Sequence, residues 1–197
     1  MATIRTIASV GICKASSKRF RMSDSLSIGK KIKRQMMATV LWCMLPGLLC
    51  STKLSAAVWI VGLLLSFLHA NIFEFFFHRW YHNPQSPRFK AHAEHHVTQF
   101  KEDEPEHVTL FGGSPLGIMC LFGANIAPWL FTRLWPAVLV GFGCYIFLTE
   151  EIHWRAHLGG WIPEAFRRHH LGHHEFPPKS FNVWLPLGDW LFGKVRP

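Results

Sequence analysis

The chain has 197 residues, 49% of them apolar and only 17% charged, with nine Trp and seventeen Phe. That is too apolar for an ordinary soluble domain of this length and points to membrane spans. The net charge of +9 invites a nucleic-acid role, but no nucleic-acid reading motif accompanies it.

The basic residues follow membrane topology instead. Nine Lys or Arg lie in residues 1–36, four in 78–108 and six in 150–197. Only Lys53 and Arg133 remain, in the two short loops between apolar runs. This is the asymmetry of the positive-inside rule. The five cysteines, Cys13, Cys43, Cys50, Cys120 and Cys144, form no C-x2-C pair. Four of them lie in apolar stretches, so they read as buried thiols rather than a disulfide or zinc framework.

Residues 1–35 are rich in Ser and in Lys or Arg, with Asp24 the only acid. The composition suits an organelle transit peptide, a basic cytoplasmic tail, or an extension ahead of a start at Met22. An unstructured segment is expected there, outside a functional domain over residues 36–197. The first apolar run, Met36 to Cys50, is short and contains Pro46-Gly47. It suits a tilted or distorted span, or part of a hairpin that does not fully cross. The second, Leu54 to Phe77, is long enough to cross. The third (about Pro115 to Phe131) and the fourth (about Leu134 to Leu148) are separated by little more than Thr132-Arg133 and read as a helical hairpin.

The expected fold is therefore an all-α integral membrane protein with about four transmembrane helices and a helical, His-rich cap. Four spans put both termini and both His-rich segments on one side, which the charge bias assigns to the cytoplasm or its equivalent. Two re-entrant hairpins that never cross would also leave the histidines on one face.

Ten of the thirteen histidines fall into four clusters: His78 and His82; His92, His95 and His96; His153 and His157; His170, His173 and His174. Imidazole is the commonest metal ligand that is neutral near physiological pH. Ten such groups exceed the needs of one mononuclear site and point to two metal ions held close together at a membrane surface. Residues four apart on a helix share a face, so His78 projects with His82 and His153 with His157. Each triple makes one three-imidazole face if helical. His169 is a further candidate ligand, although it points elsewhere on an ideal helix, and Gly172 weakens the helical reading there.

Glu74 and Glu150 each lie one turn before the histidine pair that follows them. Metal-bound His commonly donates its second N–H to a carboxylate, which makes these two candidate partners of the ligands, or occasional ligands. Helix capping or an interface role is the alternative. His69, inside the second span, reads as a core histidine hydrogen-bonded to a neighbouring helix. His107, after the acidic run 102–106, reads as a surface residue, with a lid as the sharper alternative.

At this point the chain resembles the fatty acid hydroxylase and sterol desaturase superfamily of membrane di-metal oxygenases. The resemblance rests on H-R-W-Y-H (78–82), H-A-E-H-H (92–96), H-W-R-A-H (153–157), H-H-L-G-H-H (169–174) and the closing F-N-V-W-L-P-L-G-D-W-L-F-G (181–193). It covers roughly residues 54 to 193 and is specific as a set. The fatty acid 2-hydroxylases and the carotenoid ring hydroxylases look most similar. The first cluster departs from them, with three residues between its histidines where those enzymes often have four.

The resemblance implies two non-haem iron ions on the ten histidines, with O2 as co-substrate. Nitrogen ligands also suit zinc, so the metal found in a preparation need not be the working one. The implied reaction is hydroxylation of an unactivated C–H bond of a fatty acyl, sphingolipid, sterol or carotenoid chain. Electrons would come from a separate cytochrome b5- or ferredoxin-type donor. Phe73, Phe75, Phe76, Phe77 and Trp80 would line the lipid's path or simply pack. The membrane, whether of endoplasmic reticulum, plastid or bacterial inner membrane, stays open. A lipid desaturase on the same scaffold is the first alternative, and a non-enzymatic membrane metal-binding protein the second. A transporter would carry polar ligands near the bilayer midplane, whereas these clusters sit at span ends.

Overall fold

The computed structural model describes residues 22–98, 109–112 and 114–194, with side chains from Gly29 onward. The acidic run 102–106, His107, Cys13 and residues 1–21 lie outside the described residues. The described chain is all-helical: α1 (Met22–Cys50), α2 (Ala56–Tyr81), α3 (Phe89–Thr98), α4 (Pro115–Ile126), α5 (Trp135–Leu158), α6 (Glu164–Glu175) and α7 (Leu187–Leu191). Local chemistry sets several of these ends. The Ser55 and Ser114 hydroxyls accept from Val58 N–H and Gly117 N–H and so cap α2 and α4. Pro115 and Pro136 occupy the first turns of α4 and α5, where a missing N–H costs nothing. Gly159, at φ +88°, supplies the backbone turn that ends α5.

Among the described residues, three helices, against about four expected, are long and apolar enough to cross a membrane: Gly29–Lys53, Ala56–Tyr81 and Trp135–Leu158. The first run gains its length from residues ahead of 36, so Lys30, Lys31, Lys33 and Arg34 belong to α1 rather than to a tail. The third apolar run gives only a 12-residue helix, about 18 Å long at 1.5 Å per residue. Pro128 lies in the 3-10 turn that follows. Its missing N–H and its clash with the preceding turn stop α4 there.

The bundle is built around α5, most of which is buried, while α1 and α2 expose most of their apolar length. Outward-facing Leu41, Trp42, Leu49, Ile60 and Leu64 form a surface suited to lipid rather than water. Cys50 and Cys120 also lie on exposed faces, and Cys43 and Cys144 are only partly covered, so the expectation of buried thiols is corrected. An apolar helix face need not be an inward one when the solvent is a bilayer.

Small residues let α2 and α5 approach closely. A Cβ added to Gly62 would lie 2.5 Å from the Ala137 Cβ, and one added to Gly141 would lie 2.8 Å from the Ser66 Cβ. The Ser66 hydroxyl donates to the Val138 carbonyl at 2.8 Å across the same contact. Gly62→Val should therefore force the helices apart and destabilise the fold by about 1–3 kcal/mol. A lowered melting temperature in detergent is the expected reading, and an unchanged one would contradict the close crossing.

Lys33, low on α1, pairs with Glu151 at 2.6 Å. This contact brings the start of α1 to the same end of the bundle as the C-terminal ends of α2 and α5. There α3, α6 and the segment 176–194 assemble as a cap.

Candidate metal centre

Both long helices α2 and α5 run on past their most apolar stretch and carry a histidine pair on their last turns. The i, i+4 spacing aims His78 with His82, and His153 with His157, into the cap. The ten histidines converge there in two groups of five. One comprises His78, His82, His92, His96 and His173; the other comprises His95, His153, His157, His170 and His174. Within each group one nitrogen per ring lies within 4.8 Å of all the others. Each group can hold a metal ion.

The grouping differs from the expected one. Each triple is split rather than acting as a single face. On α3, His92 and His96 turn to the first group and His95 to the second; on α6, His170 and His174 turn to the second and His173 to the first. Helical geometry permits this, because a residue three positions on and one four positions on diverge to opposite sides of the starting one. The two groups adjoin, with the His96 and His174 rings stacked at a centroid distance of 4.2 Å.

The nitrogen positions fit a central cation better than a hydrogen-bond network. His92 Nε2 lies 3.0 Å from His78 Nε2, 3.0 Å from His82 Nε2 and 3.2 Å from His96 Nε2. One imidazole nitrogen carries either a proton or a lone pair and cannot serve three such partners. Two rings have their tautomers fixed: the His78 Nδ1–H donates to the Phe181 carbonyl at 2.5 Å, and the His173 Nδ1–H to the Lys179 carbonyl at 2.8 Å. In a neutral ring so anchored, Nε2 is a bare lone pair aimed into the group. The second group repeats the spacing, with Nε2 pairs His153–His95 at 3.1 Å, His157–His170 at 2.8 Å and His174–His170 at 3.2 Å. Ligand nitrogens about 2.1 Å from an ion and at right angles to one another would stand about 3.0 Å apart.

Six of the rings are pushed toward the neutral form. Burial pushes His82 down to about 4. Burial, then the neighbouring His82 and His95, pushes His96 down to about 3. His92, His170, His173 and His174 shift the same way, by burial first and crowding by other imidazoles second. Neutral imidazole is the form that binds a metal.

The two carboxylates are arranged otherwise than the helix spacing suggests. Glu74 is fully buried and accepts from Tyr145 O–H at 2.5 Å, Asn182 N–H at 3.0 Å and Val183 N–H at 2.9 Å. Its oxygens hold the C-terminal segment, and the Phe181 carbonyl of that segment takes the place expected for Glu74 beside His78. Glu150 accepts from the Phe111 N–H at 2.7 Å and so ties residues 109–111 to α5. Glu74 thus reaches the C-terminal segment that carries Phe181, and Glu150 the segment 109–111.

His169 stands outside both groups, with Nε2 3.3 Å from Asp189 Oδ2. His169→Ala is expected to leave bound metal unchanged in elemental analysis; loss of metal would return it to the ligand set. His69 faces Asn125 on α4, Nε2 to Oδ1 at 3.0 Å, as a core histidine should. Of the aromatics on α2, Phe75 is fully buried against Phe181 and Phe192. Phe73, Phe77 and Trp80 line an apolar cleft of about 490 Å³ facing α4.

Several supporting residues escape the sequence reading. Asp189 accepts from the Phe181 and Asn182 N–H groups, and Asn71 links α2 to Tyr145 and to the backbone at Leu185 and Gly188. Asn182 and Asp189 lie in the closing motif, which was the available signal. Tyr145 sits unmarked in an apolar run.

No curated protein and no solved structure matches the chain. A family model described as fatty acid hydroxylase matches residues 63–194, about two thirds of the chain, from the middle of α2 to the end of the cap. The chain, with its apolar bundle and its two groups of imidazoles, belongs to the fatty acid hydroxylase family.

Proposed function

We propose that this protein is a membrane-bound di-iron oxygenase that hydroxylates an unactivated C–H bond of a lipid, using O2 and electrons from a separate donor. The observation that carries the proposal is the pair of adjoining five-imidazole groups at the end of an apolar bundle. The family supports an oxidoreductase acting on a lipid. Ten uncharged nitrogen ligands would leave the positive charge of the ions uncompensated, and nitrogen suits iron. Two irons held this way would supply O2 activation and the oxidising power for C–H cleavage.

The protein's own residues would do the rest. Burial favours the neutral form of His82, His92, His96, His170, His173 and His174. The carbonyls of Phe181 and Lys179 orient two of the rings. The cleft between α2 and α4, walled by Phe73, Phe77, Phe111 and Leu121, suits an acyl or isoprenoid chain entering from the bilayer. The charge bias favours a cytoplasmic position for the cap, where a cytochrome b5- or ferredoxin-type donor could reach it.

Mass spectrometry of total lipids from cells expressing the chain or His173→Ala/His174→Ala tests this reading. A lipid class that gains one oxygen only with the unaltered chain supports it and identifies the substrate. Loss of two hydrogens instead makes the protein a desaturase. No difference, with metal-loaded protein and a reductase supplied, would sink the oxygenase reading.

A further inference from the structure

A small cavity of about 10 Å³ lies against both histidine groups. Its wall includes His92 of the first group, His95 and His153 of the second, and Tyr81, Arg88 and Thr109. That is room for roughly one water-sized molecule and not for a lipid chain. Thr109 is 2% exposed, and its Oγ1 is buried without a hydrogen-bond partner. A buried hydroxyl left unpaired costs about 1–3 kcal/mol, so such a group calls for a partner.

The surroundings keep Thr109 where it is. Glu150 accepts from the Phe111 N–H, and Arg88 donates to the Thr109 carbonyl at 3.3 Å. Residues 109–111 are thus held by Arg88 at the Thr109 carbonyl and by α5 at Phe111. Tyr81 and Arg88, with the guanidinium 5.6 Å from the centre of the Tyr81 ring, wall the small cavity on one side and the apolar α2/α4 cleft on the other. Two compartments of different size and polarity therefore meet at this pair of side chains. The larger suits a hydrocarbon chain and the smaller a molecule of one or two heavy atoms.

We infer that this cavity binds a small oxygen-type ligand (water or a diatomic gas) between the two histidine groups, and that Thr109 Oγ1 is its hydrogen-bond partner. The inference rests on the oxygenase reading above and assigns Thr109 a direct contact with the oxygen ligand.

The test uses nitric oxide as a diatomic probe on the full-length, iron-loaded, reduced protein in detergent. The N–O stretching frequency is read in H2O and in D2O, alongside metal content and nitric oxide affinity. In the unaltered protein and in Thr109→Ser the frequency should shift on deuteration. Thr109→Val, matched in shape, should lose the shift and bind nitric oxide roughly tenfold more weakly at unchanged metal content. An unaltered frequency, isotope shift and affinity in Thr109→Val would overturn the assignment and leave the oxygenase reading standing. Loss of metal from Thr109→Val but not from Thr109→Ser would also overturn it, by making Thr109 a support of the metal groups. Failure of the unaltered chain to bind iron at all would remove both the assignment and the reading beneath it.

Discussion

Alanine at His95 and alanine at His96, neighbours in sequence, should each remove one bound metal ion per chain and abolish turnover, but not the same ion. His96 belongs with His78, His82, His92 and His173, whereas His95 belongs with His153, His157, His170 and His174. Loss of an outer partner of a metal ligand costs roughly 10–100-fold in metal affinity, and loss of a ligand should exceed that. The double variants separate the two groups. His78→Ala/His96→Ala strips one group and should retain one ion; His95→Ala/His96→Ala strips both and should retain none. Elemental analysis of protein purified from the membrane fraction gives the stoichiometry. Equal metal content in the two double variants would mean that the groups do not act as separate sites.

Glu74→Leu should be the most destabilising change in the bundle. Three buried donors converge on this carboxylate: Tyr145 O–H, Asn182 N–H and Val183 N–H. Each would be orphaned at about 1–3 kcal/mol, for a loss of at least about 3 kcal/mol. The damage should not stop at stability. Val183 is two residues from Phe181, whose carbonyl orients His78, so metal affinity should fall roughly 10–100-fold as well. Glu74→Gln keeps the shape and one acceptor oxygen and should lie between. Thermal unfolding in detergent and metal titration read the two effects. A Glu74→Leu protein that melts and binds metal as the unaltered chain does would contradict the network.

The ten imidazoles are legible in the sequence because their spacing needs nothing but helical geometry. Their sorting is not, because it depends on where α3 and α6 lie across the ends of α2 and α5. That placement depends on contacts between elements, such as Arg167 of α6 donating to the Arg155 and Ala156 carbonyls of α5 and the Phe166 ring meeting Trp184. Glu74 is legible as consequential, since a carboxylate in an apolar span is costly, yet its partner is not. Two of the three donors that satisfy it come from a C-terminal segment more than a hundred residues away, and the third from α5. Run lengths mislead at both ends of the scale. The first run looks short because charged residues ahead of it read as a tail, and the third looks long because Pro128 is easily absorbed into an apolar stretch.

The splitting of both triples has a thermodynamic consequence. α3 lends two imidazoles to one group and one to the other, and α6 does the reverse. An ion entering either group would fix the position of both helices. In doing so it would preorder three of the five imidazoles of the remaining group, two from one helix and one from the other. The entropy of arranging the cap is then lost largely at the first step, and the second ion would bind to a partly assembled cage. Loading should therefore be positively cooperative, with linkage equal in both directions. Titration would show empty and doubly loaded chains in preference to singly loaded ones.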